Sequence, residues 1–206
     1  MTSDQTHMRF STAKIELDSL SLRRGDRLLI ENLSLSLKAG DILYLTGQNG
    51  VGKTTLLLAL AGLLRPESGL IQCAETTLMQ TPDGASKGLS VQEDLEFYAN
   101  LHQKKVEAYT ELERVGLNTS THSLKTEDLS LGQRKRLNLT KIILADRPIW
   151  LLDEPFSALD TEGQTFVEDT LSRHLSHGGI AVIATHLPRK IKDHRHKTLH
   201  LLSGQT

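Results

Sequence analysis

The segment Gly47-Gln48-Asn49-Gly50-Val51-Gly52-Lys53-Thr54 fits the pattern G-x-x-x-x-G-K-[ST]. Glycines at these positions let consecutive backbone N–H groups turn inward around a phosphate chain. The Lys53 ammonium can reach the β- and γ-phosphates, the Thr54 hydroxyl can ligate Mg²⁺, and Thr55 is counted with the same loop. The apolar run Ile42 to Leu45 precedes the loop as a strand, and the leucine-rich stretch Lys53 to Leu63 follows it as a predicted buried helix. That order sets a helix N-terminus, with its positive potential, against the phosphates. Farther along, Ile149-Trp150-Leu151-Leu152-Asp153-Glu154 is an apolar strand ending in two carboxylates. Alone, the pair reads as two solvated acids. Coupled to a phosphate loop, Asp153 is placed to hold the Mg²⁺ coordination sphere and Glu154 to orient or deprotonate an attacking water.

Between these motifs lies Leu129-Ser130-Leu131-Gly132-Gln133, followed by Arg134-Lys135-Arg136. On its own it is a serine-capped helix start whose N–H groups, hydroxyl and basic residues could face an anion. With the other motifs it resembles the LSGGQ signature of ATP-binding cassette (ABC) proteins, leucine standing in place of the first glycine. Ser157-Ala158-Leu159-Asp160 looks like the D-loop of that family, and Thr185-His186 after a strand looks like its switch histidine. The resemblance runs over nearly the whole chain from about residue 14.

The resemblance implies an α/β fold: a P-loop NTPase (RecA-like) core with an N-terminal antiparallel β subdomain and an inserted α-helical subdomain. The expected layout is a polar tail over 1–13 and one nucleotide-binding domain over 14–206, the helical part spanning about 84–145. ATP and Mg²⁺ are the implied cofactors, and the implied working unit is a head-to-tail homodimer. Each ATP is then clamped between one copy's phosphate loop and the other copy's signature, so that Ser130 and Gly132 act in trans, and Gln133 and Asp160 are counted with the nucleotide-binding residues. His186 joins Lys53 and Glu154 as catalytic. The family's glutamine that senses the γ-phosphate and the metal falls on Gln80, after Thr77-Leu78-Met79. Its adenine-stacking aromatic falls near Arg24, where no aromatic stands; a guanidinium plane can stack on a base, though less selectively.

Within the family, three segments resemble the ATP-binding subunits of haem exporters of cytochrome c maturation: Asp153 to Asp160, Gly178 to His186, and Glu96-Phe97-Tyr98. This likeness implies transmembrane permease partners and a peripheral position on the cytoplasmic face of the inner membrane. The alternatives are another small bacterial ABC exporter and a non-transport cassette ATPase acting on ribosomes or DNA. Non-transport cassettes usually carry two tandem copies or a long coiled-coil insertion, and 206 residues leave room for neither. A phosphate-loop kinase would have no use for the signature and D-loop.

The chain that must position these residues is 206 long, with 24 Lys and Arg against 25 Asp and Glu, a formal charge of −1. That balance argues against a nucleic-acid binder. With 38% hydrophobic and 24% charged residues, the composition is that of a globular protein. The longest apolar run, Leu56 to Leu64, has nine residues, where a membrane span needs ~20. Met1 to Thr12 carry no basic segment followed by an apolar one, so the expectation is retention in the cytosol.

Alternation at Ile15, Leu17, Leu20 and Leu22, and again at Leu33, Leu35 and Leu37, predicts antiparallel strands around a Gly25-Asp26 turn. Short strands are expected at Leu70-Ile71 and Leu78-Met79 among the loop residues Pro66, Gly69, Pro82, Gly84 and Gly88. Helices are expected at Val91 to Leu101, capped by Ser90 and Glu93, at Val106 to Arg114, at Leu131 to Ala145 and at Thr161 to His177. The last of these is expected to pack Phe166, Val167 and Leu171 or Leu175 into the core. Strands at Ile149 to Leu152 and Ile180 to Ala184 alternate with the helices, which predicts a parallel sheet. The single cysteine, Cys73, reads as a packed thiol, and the stretch Lys190 to Lys197 as a solvated face. His194, His196 and His200 lack a second ligand pair for a metal and read as solvated side chains.

Overall fold

The computed structural model describes residues 9–80, 86, 88–105 and 108–202. Pro82, Gly84 and the expected helix start at Val106 lie outside them. The chain runs β1 (Lys14–Arg24), β2 (Arg27–Lys38), β3 (Asp41–Thr46), α1 (Lys53–Leu60), β4 (Ser68–Cys73) and β5 (Thr76–Met79). It continues through α2 (Val91–Leu101), α3 (Ala108–Arg114), α4 (Thr119–His122), a 3₁₀ turn at Thr126–Asp128, and α5 (Leu131–Ala145). The remaining elements are β6 (Ile149–Asp153), α6 (Thr161–Ser176), β7 (Ile180–Ala184) and β8 (Arg195–His200). These elements form two compact units. One takes the chain up to Leu78, Pro148–Asp153 and everything from Thr170; the other takes Met79–Arg147 and Glu154–Asp169.

In the first unit, the alternating apolar residues of β1 are buried and the strand pairs antiparallel with β2 and β4. The turn at Gly25, with φ 58°, joins β1 to β2. The second sheet has the order β5-β6-β7-β3-β8, with β6, β7, β3 and β8 parallel. The strands β6 and β7 are buried along their whole length and β3 all but its last residue, which is why they read as continuous apolar runs and not as alternation. Side chains of both sheets and of α1 share one core that includes Ile15, Leu22, Leu45, Leu56, Leu151 and Val182.

Several expectations are corrected here. The helix after the glycine loop stops at Leu60 and not at Leu63, because Ala61 caps it and Gly62 turns the chain with φ 72°. Leu63 is left exposed. Cys73 is exposed at the end of β4, its Sγ 3.7 Å from the Leu60 carbonyl oxygen. The basic stretch Lys190 to Lys197 is more than a solvated face: it runs into β8, where Arg195 Nε (2.8 Å) and Lys197 Nζ (3.3 Å) meet the fully buried Asp41 carboxylate. The Lys38 amide donates to the same carboxylate at 3.0 Å. An aspartate that would otherwise be a buried charge is thus neutralised from the sheet edge. His196 and His200 are engaged on Ile191 O and Thr46 Oγ1, and His194 on Ser172, and the described residues hold no cluster able to bind a metal.

The second unit is helical. Its core joins Val91, Leu95, Leu112, Leu117, Leu129 and Leu137, with Phe166 packed against it. Reciprocal capping boxes start its two long helices, Ser90 with Glu93 on α2 and Ser130 with Gln133 on α5. The Ser90 amide and hydroxyl hold the Glu93 carboxyl below its ordinary range. Inside the unit, Lys141 of α5 forms an ion pair with Asp94 of α2, both buried, and Ser86 Oγ donates to Asp94 Oδ1 at 2.8 Å. Burial pushes the Lys141 ammonium below its usual pKa, with Asp94 opposing the shift. Removing one partner of such a pair typically destabilises by about 3–5 kcal/mol. Asp94→Ala should therefore lower the urea midpoint markedly, whereas Asp94→Leu combined with Lys141→Met should recover most of the loss.

Candidate nucleotide site

The parallel register determines what gathers at one end of the first unit's sheet. Asp153 pairs with Ala184, and Ala184 pairs with Leu45, so the last residues of β6, β7 and β3 share a row. The chain leaves this row into the glycine loop after Thr46, into Thr185-His186 after Ala184, and into Glu154 after Asp153. Ligands of open parallel sheets bind beyond the carboxyl ends of the strands.

The loop needs its glycines. Gly47, Gly50 and Gly52 have φ of 133°, 79° and 112°, values that side-chain-bearing residues rarely adopt. A Cβ on Gly47 would also run into the Leu201 carbonyl oxygen. Gly52 caps α1 in the left-handed region and delivers Lys53 and Thr54 as the first helical residues. Lys53 Nζ donates to the carbonyls of Gly47 (2.7 Å) and Gln48 (3.0 Å), which holds the ammonium across the mouth of the loop. Thr54 Oγ1 donates to Asp153 Oδ2 at 2.8 Å, so a hydroxyl and a carboxylate from opposite ends of the motif set touch. His186 is exposed, and its Nε2 lies 3.0 Å from Asn49 Oδ1. The loop, Asp153 and His186 are thereby brought together. Thr55 is buried, Arg24 is exposed at the end of β1, and Gln80 is exposed immediately after β5.

The second unit holds another group of site residues. Ser130 is exposed at the N-cap of α5; its hydroxyl accepts the Gln133 amide (3.2 Å) and its own amide donates to Gln133 Oε1 (2.9 Å). A cleft of about 660 Å³ opens here, lined among others by Ser130, Gly132, Gln133, Arg136, Asp160 and Glu162. A Cβ on Gly132 would sit 3.0 Å from the Ala158 carbonyl, so this glycine lets the helix start approach the turn that follows Glu154. Leucine is accommodated at 131 because its side chain is 42% exposed. Asp160 Oδ1 accepts the Gly163 amide (2.8 Å) at the start of α6 and the Arg136 guanidinium (2.7 Å). The Gly163 amide first, with Arg136 adding, keeps the Asp160 carboxyl below its ordinary range.

The basic residues after the signature do not all face outward. Arg136 is committed to Asp160 and to the Val115 carbonyl (3.1 Å). Lys135 is buried and donates to the Glu154 carbonyl and to Ser157 Oγ. Reading the sequence missed Lys135, since a lysine in a basic run carries no sign of burial. The available signal was helical spacing, which puts Lys135 on the side of α5 that also buries Leu139 and Ile142.

Comparison with known proteins gives the family and the fold. Residues 30–157 match the family model described as ABC transporter. A cytochrome c biogenesis ATP-binding export protein CcmA from Rhodobacter capsulatus is 37% identical over 183 residues, 88% of this chain and 85% of that protein. Among solved structures, an ABC transporter of the metal-chelate type in an inward-facing conformation superposes with a TM-score of 0.75 at 28% identity, covering 92% of this chain and 80% of its own. The ATP-binding cassette MJ0796, a dimer in a post-hydrolysis state with ADP and Pi, shares the fold: TM-score 0.74, 20% identity, 84% and 88% coverage.

Charge-assisted hydrogen bonds of the kind Lys53 can make to phosphate are worth about 1.5–3 kcal/mol. Lys53→Ala should accordingly weaken nucleoside triphosphate binding at least tenfold by calorimetry and leave the unfolding midpoint within error, because the side chain bonds only to its own loop. Unchanged affinity would place the phosphate site elsewhere.

Proposed function

The chain belongs to the ABC transporter family and is an ATPase of that family, and from that premise we propose that it drives an exporter serving cytochrome c biogenesis, with haem as the substrate class. The observation that carries the reading is the row Leu45, Ala184 and Asp153, beyond which the phosphate loop, His186 and the Thr54–Asp153 contact converge. The likeness in sequence to CcmA supports the biological setting.

In this reading the loop amides from Gly47 to Thr55 and the Lys53 ammonium hold the β- and γ-phosphates. Thr54 and Asp153, oxygen donors 2.8 Å apart, suit a small hard cation and would hold Mg²⁺, with Gln80 as a further ligand. The ion, when bound, neutralises charge developing on the β- and γ-oxygens. Glu154 takes a proton from water as the water oxygen attacks the γ-phosphorus and the bond to the β–γ bridging oxygen breaks. His186, held beside the loop by Asn49, stabilises charge on the γ-phosphate in this reading. Arg24 takes the place of a base-stacking aromatic.

Ser130, Gly132, Gln133 and Asp160 serve the nucleotide held by a second copy of the chain, so the catalytic unit is a head-to-tail homodimer. No helix among the described residues is long and apolar enough to cross a membrane. Permease subunits supply the transport path in this reading, and the ATPase sits on them at the cytoplasmic face of the inner membrane.

A clean deletion should abolish covalently haem-bearing c-type cytochromes, read by haem staining of denaturing gels, and spare b-type cytochromes. Normal c-type cytochromes in the deletion strain would reject the cytochrome c assignment and leave the ATPase assignment standing.

A further inference from the structure

We propose that Lys135 is a positioning residue for the Glu154 carboxylate, acting through the Glu154 backbone; this rests on the reading of Glu154 as the general base. Lysines ordinarily keep their ammonium in water, yet Lys135 is only 2% exposed. A buried ammonium persists when its protons are taken up by well-placed acceptors. Here the acceptors include the Glu154 carbonyl and Ser157 Oγ. Ser157 closes the arrangement, donating to the same carbonyl from its hydroxyl at 3.1 Å and from its amide at 3.3 Å. The Glu154 carbonyl thus accepts from an ammonium, a hydroxyl and an amide.

The residue so held has φ 48°, in the left-handed region that a glutamate rarely occupies. Such a conformation survives where surrounding contacts over-determine it, and it is found at sites where the direction of a side chain matters. Backbone angle decides the direction in which the Glu154 carboxylate leaves the chain, and a general base works only within hydrogen-bond reach of its proton. Two neighbouring contacts brace the same turn against α5: Gly132 close to the Ala158 carbonyl, and Arg136 on Asp160. Ala158 is also left-handed, at φ 59°. Of these, Lys135 is the contact that reaches Glu154 itself.

The test is steady-state ATP hydrolysis by the full chain carrying Lys135→Met, which keeps about the length of the apolar stem and removes the ammonium. A base displaced by about 1 Å loses on the order of 10²-fold in rate. We expect kcat to fall on that scale with KM and calorimetric ATP affinity unchanged, beside a modest drop in the unfolding midpoint; a purely structural role would lower the midpoint and leave the kcat of the folded protein as it was. Glu154→Gln alone tests the underlying reading, with an expected loss of ~10²–10⁴-fold. A wild-type rate in Glu154→Gln would remove that reading and the proposal together, whereas an impaired Glu154→Gln beside a wild-type Lys135→Met would overturn the proposal alone. The double variant should be no slower than Glu154→Gln, and a further loss would mean that Lys135 acts elsewhere. If Lys135→Met does not fold, Ser157→Ala, at an exposed position, carries the test: kcat should drop with KM unchanged, and an unaltered kcat would overturn the proposal.

Discussion

Parallel pairing of three buried strands is the constraint on which the rest depends. Because Leu45, Ala184 and Asp153 are locked in one row, the next residues of each strand leave the sheet together. After β3 comes a glycine loop whose backbone angles only glycine accepts readily, after Ala184 comes Thr185-His186, and Asp153 itself sets its carboxylate 2.8 Å from the Thr54 hydroxyl before the chain passes to Glu154. A slip of one residue in β6 would move Asp153 to the other face of the sheet and separate it from Thr54. The strands carry the chemistry only by being apolar enough to be buried on both faces.

The helical unit is organised by a different device. Capping boxes fix where α2 and α5 begin, and the start of α5 presents Ser130 at the edge of a cleft while its next turn, through Lys135 and Arg136, grips the segment from Glu154 to Asp160. The signature and the turn bearing Glu154 therefore form one braced block. In the proposed dimer, the same block offers Ser130 to one nucleotide and Glu154 to the other, which gives the buried lysine a place in the coupling between two sites.

Much of this was legible in the sequence wherever local chemistry decides. The bounds of α2 and α5 follow from caps and apolar spacing, and the strand, glycine loop and helix of the phosphate site follow from glycine and leucine patterns. What escaped was the fate of cations. Arg195 and Lys197 sit in a stretch that reads as a solvated face, and Lys135 in a basic run that reads as facing an anion, but each, like Lys141, meets a partner that the fold supplies from elsewhere in the chain: Asp41, Glu154 and Ser157, and Asp94. A residue type announces charge, and only the fold announces burial. The true end of α1 escaped for the opposite reason, since Leu63 and Leu64 continue an apolar pattern that Gly62 has already ended.

The central claim is that the phosphate loop of one copy and the signature of another complete a single site. It is tested most directly by mixing two chains, both carrying Cys73→Ser and Glu154→Gln, one with Gln48→Cys and the other with Leu131→Cys, and adding a short thiol-specific cross-linker. Both positions are exposed, so reaction reports proximity. The account predicts a cross-linked product containing one chain of each kind that forms with Mg-ATP and not without it. Absence of that product with Mg-ATP, while both cysteines still react with a monofunctional reagent, would contradict it.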